Sequence, residues 1–404
     1  MQEQKVLLNC AQILTMADEG LGIIAGGALR IKGERVVEIG RGLQPEPGEE
    51  RIDCQNSVVM PGFVDPHTHL VFASWRADEF EMRLLGKSYK EILEAGGGIL
   101  ATVKMTREAS EDELFQTALG RLKEMVSWGT TTVEVKSGYG LDKENELKLL
   151  RVVKRLNEAG LIEVIPTFMG AHAVPKGMEK KEYIRLVIEE MLPKVAEKKL
   201  ARFCDVFCEN FVFNSEESKM ILEAGKGFGL LPLIHADEVE SSGGAEVAGE
   251  VGAIAASHLL QPSDTGLKMM AEKGVIATLL PATALFLQER HKPPVKKMRE
   301  LGIQMALGTD FNPGSSTLLA QVLTVQFACL YYGLTIVEAL RGVTINAARA
   351  LKMEREIGSI EPGKRADIVI TDVPDYRHLA YRLGHNPVRM VLSRGKIVYQ
   401  REGG

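Results

Sequence analysis

Two histidines separated by one threonine, His67-Thr68-His69, close an apolar run that contains Val64 and Asp65. In an extended chain residues i and i+2 point to the same face. Both imidazoles can therefore reach one metal ion. Taken alone, such a pair fits two solvated surface histidines equally well. Other polar residues separate the two readings. His172 follows VIPTFMGA, His235 follows LPLI, His258 follows IAAS and Asp310 follows IQMALGT. Each stands where a strand-like run gives way to a loop. Five of the eight histidines occupy such positions, whereas His291, His378 and His385 fall in helical or terminal segments and read as structural or solvated. Neutral imidazoles with one carboxylate form an N/O donor set that suits Zn2+ or Fe. Three histidines and one aspartate complete a mononuclear site with space for a water. Such an ion lowers the pKa of that water from 15.7 to roughly 7.

Scattered residues can meet only if the strands that carry them end at one rim. Eight short apolar runs recur: VVMPGFVDPHTH, TTTVEVKSGYG, IEVIPTFMGAH, FCDVFCEN, LPLIHADE, IAASHLL, VIATLLP and IQMALGTD. Between them lie segments such as EDELFQTALGRLKEMVSWG and NELKLLRVVKRLNEAG, whose apolar residues recur with the helical period. Strand then helix, eight times, predicts an α/β fold, a closed (β/α)8 TIM barrel over residues 61–353. An open doubly wound sheet is the alternative. It usually begins with a glycine-rich phosphate turn, and here a histidine pair stands in that place. Residues 1–60 and 354–404 read differently. Short alternating runs separated by glycine and proline predict antiparallel strands, most simply one small β domain built from both termini.

The 404 residues are 45% hydrophobic and 25% charged, an ordinary globular composition. A chain of this length buries roughly 75% of its unfolded surface and needs no covalent staples. A net charge of −5 argues against a nucleic-acid partner. Five cysteines, an odd number, do not form a disulfide framework and suggest a reducing cytosol. The N-terminus lacks the layout of a signal peptide. The longest apolar stretch, Val275 to Leu287, is broken by Pro281 and is too short for a membrane span. A soluble, cytoplasmic protein is expected.

The segment PGFVDPHTHL (61–70), the later strand-end histidine, the GTD and the tail GSIEPGKRADIVI (358–370) together resemble the amidohydrolase superfamily. Within it, VEVKSGYGL (133–141), TFMGAHAVP (167–175), HADE (235–238), ASHLL (256–260) and ALGTDFNPGSS (306–316) resemble the imidazolonepropionase family. The resemblance spans essentially the whole chain. It implies a barrel, a small β-sandwich domain from both termini, and one Zn2+ or Fe3+ ion per chain. It implies hydrolysis of the lactam ring of 4-imidazolone-5-propanoate to N-formimino-L-glutamate. His67, His69, His235 and Asp310 match the family's metal ligands. Arg76, Tyr139, His172, Glu238 and Ser315 match positions that hold the substrate. Asn312 and Gly314 match positions that hold the product, and His258 matches a histidine beside the catalytic water. The resemblance also suggests a homodimer.

The chemistry assigns roles to these residues. Asp310 can accept the proton of the attacking water, His258 can support the oxyanion, and Glu238 can pass a proton to the leaving nitrogen. Arg76, seven residues after His69, has the planar fork that suits the substrate carboxylate. Other features invite plainer readings. Gly96-Gly97-Gly98 lacks the lysine of a phosphate loop and reads as part of a long connection that could cover the site. Cys204 and Cys208 read as apolar filling. Lys136 is open between a catalytic and an interior structural role, and HKPPVKKMR (291–299) reads as a solvated helix start. Two other functions fit the same fold: a deaminase of a heterocyclic base, which would release ammonia, and a scaffold that binds no metal.

Overall fold

The computed structural model describes residues 4–87, 91 and 96–402. The chain begins with β1 (Gln4–Leu14), which pairs antiparallel with β2 (Ile23–Lys32), itself paired with β3 (Arg35–Gly40). On the other edge of β1, β4 (Glu50–Asp53) and β5 (Val58–Pro61) run parallel to it. The run from Val58 to His69 reads as one strand in the sequence, but it divides at Gly62. A Cβ on Gly62 would lie 2.2 Å from the Thr131 hydroxyl. Only glycine lets the chain pass so close to the neighbouring strand as it leaves one sheet for the other.

The second sheet comprises β6 (Phe63–Asp65), β7 (Thr130–Lys136), β8 (Glu163–Ala171), β9 (Phe203–Cys208), β10 (Leu231–Ala236), β11 (Ala255–His258), β12 (Ile276–Leu279) and β13 (Met305–Leu307). Each pairs in parallel with the next, in chain order. Beyond β6 and β13 the two end strands meet. Thr68 bridges Phe311, His69 N donates to Phe311 O at 2.8 Å, and Asp310 N donates to His67 O at 3.0 Å. The ring thus closes at the height of the His67–His69 pair. The barrel's lower interior is apolar: Val64, Ile165, Phe203, Leu233, Ile276 and Ala306 share one cluster. The predicted amphipathic segments are helices Glu111–Ser127 and Lys143–Glu158, started by Ser110 and Asp142 side chains that accept from Glu113 N and Asn145 N. Ser110 and Glu113 form a reciprocal capping box, a signal readable as S-x-x-E.

The chain then returns to the first sheet. β14 (Ile368–Thr371) pairs antiparallel with β5, followed by β15 (Val388–Ser393) and β16 (Lys396–Gln400). Both termini therefore share one mixed sheet, with Leu7, Ile13, Leu29, Val59, Ile368 and Leu392 in a common core. Arg365 ties this sheet to the barrel: it donates to Asp367 and Glu163, each at 2.7 Å, and to Thr132 at 3.2 Å.

Candidate active site

The upper rim gathers every strand-end residue singled out in the sequence. The rings of His67, His69, His235 and His258 are all buried, and neighbouring centroids lie 4.4–5.7 Å apart. His69 Nε2 stands 3.4 Å from His235 Nε2 and 3.6 Å from Asp310 Oδ1. His67 Nε2 is 3.5 Å from the same carboxylate oxygen. For bonds of about 2.1 Å, the donors of a tetrahedral ion lie about 3.4 Å apart. Moreover, His67 Nε2 is buried without a hydrogen-bond partner among the described residues, an arrangement that a folded chain avoids unless something else takes the lone pair. The donor set and its spacing fit one metal ion. Two overlapping groups could hold it: His67, His69 and His235, and His67, His258 and Asp310.

The backbone at the rim is unusual in the same places. His258 has φ +70° and Asp310 φ +50°, both in the left-handed region. Such conformations cost about 1–3 kcal/mol each and persist where the surroundings enforce them. Here they turn each side chain inward at the point where its strand ends.

Supporting contacts fix the rings. His235 Nδ1 donates to Asp205 Oδ1 at 3.1 Å, which leaves the Nε2 lone pair facing the centre. His67 Nδ1 lies 2.8 Å from Ser257 Oγ. Thr283 Oγ1 donates to Asp310 Oδ2 at 2.7 Å, leaving Oδ1 toward the rings. His258 Nδ1 is 3.4 Å from Glu238 Oε1. Asp205, Ser257 and Thr283 are functional supports that the sequence reading missed. Asp205 carried a signal: it is the only charged residue in the run FCDVFC, at an alternate position that faces the barrel interior.

Burial sets the protonation. It lowers His67, His69 and His258 well below the usual imidazole range, with neighbouring rings and Lys136 adding to the effect. These rings are therefore neutral, the form a metal requires. Burial pushes Asp310 up to about 6, opposed by the Thr283 hydrogen bond. Burial and then the Asp310 charge raise Glu238 well above the carboxylate range. Lys136 is fully buried between Glu134 Oε1 at 2.9 Å and Asp205 Oδ2 at 2.8 Å. Burial alone would lower it, but the two carboxylates raise it, so it stays charged.

The remaining candidates flank this centre. His172 stacks on His69 at 4.9 Å, and its Nδ1 donates to Gly138 O at 3.0 Å. Tyr139 lies 5.8 Å from the His69 ring and 5.4 Å from His172. Arg76 reaches over from the first connection, and a Cβ on Gly314 would lie 1.6 Å from its Nη2. Glycine there makes room for the guanidinium. Glu79, itself buried, holds Arg76 Nε at 3.2 Å and Arg83 Nη2 at 2.8 Å, and accepts from Gly98 N at 2.8 Å. The Gly96–Gly98 run is thus tied beneath Arg76 at Gly98; residues 88–90 and 92–95 of the same connection lie outside the described residues. Asn312 uses both amide protons within its loop, on Asp310 O and Ser315 Oγ, while its Oδ1 accepts from Gly314 N and Ser315 N. It shapes the turn that presents Gly314 and Ser315. Cys204 and Cys208 are buried on β9, as their apolar reading expects.

The profile of the amidohydrolase family matches residues 58–398. An imidazolonepropionase of Geobacillus sp. is 47% identical over 410 residues, covering 96% of this chain and 96% of its own. One of Clostridium tetani is 51% identical over 354 residues, covering 87% of this chain and 84% of its own. Among solved structures, a triazine hydrolase variant aligns with a TM-score of 0.76 at 15% identity, over 98% of this chain and 94% of its own. An adenosine deaminase of Xanthomonas campestris with bound zinc aligns at 0.73 and 16%, over 97% and 92%. Likeness at such low identity speaks to the fold alone. No helix among the described residues is long and apolar enough to cross a membrane.

Proposed function

Because the chain belongs to the imidazolonepropionases, cyclic amide hydrolases of the amidohydrolase family, we propose how its own residues open the ring of 4-imidazolone-5-propanoate to N-formimino-L-glutamate. One observation carries the reading: the nitrogens of His67, His69 and His235 and Asp310 Oδ1 converge at 3.4–3.6 Å around a point that leaves His67 Nε2 otherwise unpaired. These four residues hold one ion, zinc or iron. When bound, it lowers the pKa of a water to roughly 7 and polarises the ring carbonyl.

The Asp310 carboxylate, which lies beside the water that the ion would hold, accepts the proton of the attacking water. Neutral His258, with Nδ1 toward Glu238, donates to the oxygen that gains charge. Glu238, kept protonated by burial, supplies the proton that the ring nitrogen needs as the C–N bond breaks. Water's oxygen ends in the new carboxylate, and no ammonia leaves. Arg76 grips the propionate, while Tyr139, His172 and Ser315 border the ring and Gly314, on the turn that Asn312 shapes, borders the product. Residues 61–353 form the catalytic domain, and 1–60 with 354–404 form the composite small domain. The five unpaired cysteines suit a cytosolic setting, and the working form is a homodimer.

Incubation of the metal-loaded protein with 4-imidazolone-5-propanoate tests the reading. N-formimino-L-glutamate should form without ammonia; turnover of guanine or cytosine with ammonia release, and none of the imidazolone, would contradict it. Two variants probe the assigned roles. Arg76→Ala should raise KM by about 10–100-fold, the worth of about 1.5–3 kcal/mol for a hydrogen-bonded charge, with kcat little changed. Gly314→Ala should act in the same direction, since its methyl displaces the guanidinium. An unchanged KM with a collapsed kcat would refute the carboxylate role. His258→Ala should keep the metal and lose about 10²–10³-fold in kcat, the cost of one oxyanion donor; metal loss would make it a ligand instead.

A further inference from the structure

Beneath the four imidazoles lies a charged layer of which only Asp205 has a role above, as the support of His235. Glu134 and Lys136 stand two residues apart on β7, so they share the interior face, and Asp205 joins them from β9 across β8. All three side chains have zero exposure. Each carboxylate reaches upward to a different part of the metal site. Glu134 Oε2 accepts from Thr68 N at 3.2 Å, and Glu134 O accepts from Thr68 Oγ1 at 2.6 Å. Thr68 is the residue between His67 and His69, and its own carbonyl accepts from Lys136 N at 3.0 Å. Asp205 Oδ1 holds His235 Nδ1.

We propose that Lys136 is the positioning residue of the metal site: one buried cation that fixes the His67–His69 segment through Glu134 and the His235 ring through Asp205. This inference rests on the reading of those histidines as ligands. The physical reason is charge. Two carboxylates this deep are strongly disfavoured unless paired. The Lys136 ammonium, 2.9 Å and 2.8 Å from them, pairs with both and holds both in place. An ionised Asp205 accepts from His235 Nδ1–H and so selects the tautomer with a bare Nε2. The same cation sets the spacing between the two halves of the ligand set, which come from opposite sides of β7 and β9. The Lys136 side chain has zero exposure and both its ion-pair partners are carboxylates of this layer, so it acts through its neighbours.

The test uses the full-length protein stripped of metal and titrated with Co2+ alone. Three readings are taken: affinity by chelator competition, the visible absorption of the bound Co2+, and thermal unfolding of the metal-free form. Lys136→Met removes the charge. Glu134→Gln/Lys136→Met removes the lysine without leaving Glu134 unpaired, and serves if the single variant does not fold. Both should bind Co2+ about 10–100-fold more weakly with a shifted spectrum, while the metal-free double variant still unfolds cooperatively. Parent-like affinity and an unchanged spectrum would overturn the proposal. So would failure of both variants to fold before metal is added, which would assign Lys136 to the fold. A parent protein that takes up no Co2+ would contradict the metal reading itself.

Discussion

His235→Ala is expected to lose the metal and nearly all turnover. The ring is held through Nδ1 on Asp205 at 3.1 Å, and its Nε2 faces the centre, 3.4 Å from His69 Nε2. Alanine therefore removes a donor that no neighbour can replace, and it leaves the Asp205 carboxylate with Lys136 as its sole charged partner among the described residues. The rate should fall by more than the about 10²–10⁴-fold that a single proton-transfer group supplies, because the water loses its activation as well. Metal content and kcat are measured on the same sample. A variant that retains stoichiometric metal, or that turns over near the parent rate, would remove His235 from the ligand set.

Asp310→Asn is the second large effect. Asparagine keeps the shape, and with its amide oxygen turned toward the ion its amide nitrogen faces the Thr283 hydroxyl, which lies 2.7 Å from the carboxylate in the parent. It cannot take a proton. A loss of about 10²–10⁴-fold in kcat is expected, with KM nearly unchanged because Arg76 and the residues around Gly314 are untouched. Steady-state kinetics on the metal-loaded variant distinguish the two parameters. A KM defect with normal kcat would mean that Asp310 serves binding and that another group accepts the proton.

The barrel and the rim were legible because their signals are local. Five of the eight strand runs reach a histidine or aspartate where they give way to a loop, and helices such as Glu111–Ser127 announce themselves by a cap and a period. Apart from the lone charge of Asp205 in FCDVFC, the supports were not legible, since they depend on pairings across the barrel. Ser257 meets His67 over 190 residues of separation, and Asp205 meets His235 over 30. Thr283 lies on the short helix after β12 (Pro281–Phe286), not at a strand end, so no rule about strand ends would find it. Alternation along VEVKSG left Lys136 open as an interior residue but could not name Asp205 as its partner, because the contact crosses an intervening strand. The division of the Val58–His69 run at Gly62 was hidden for a related reason: it answers to Thr131, a residue of another strand.

The central claim is one ion held by His67, His69, His235 and Asp310 that ring opening requires. Stepwise addition of Zn2+ or iron to the metal-free protein, with turnover of 4-imidazolone-5-propanoate followed at each step, tests it most directly. Activity should be absent at the start, rise in proportion to added metal and level off at one equivalent per chain. Full turnover without metal, or a plateau reached only at two equivalents, would contradict it.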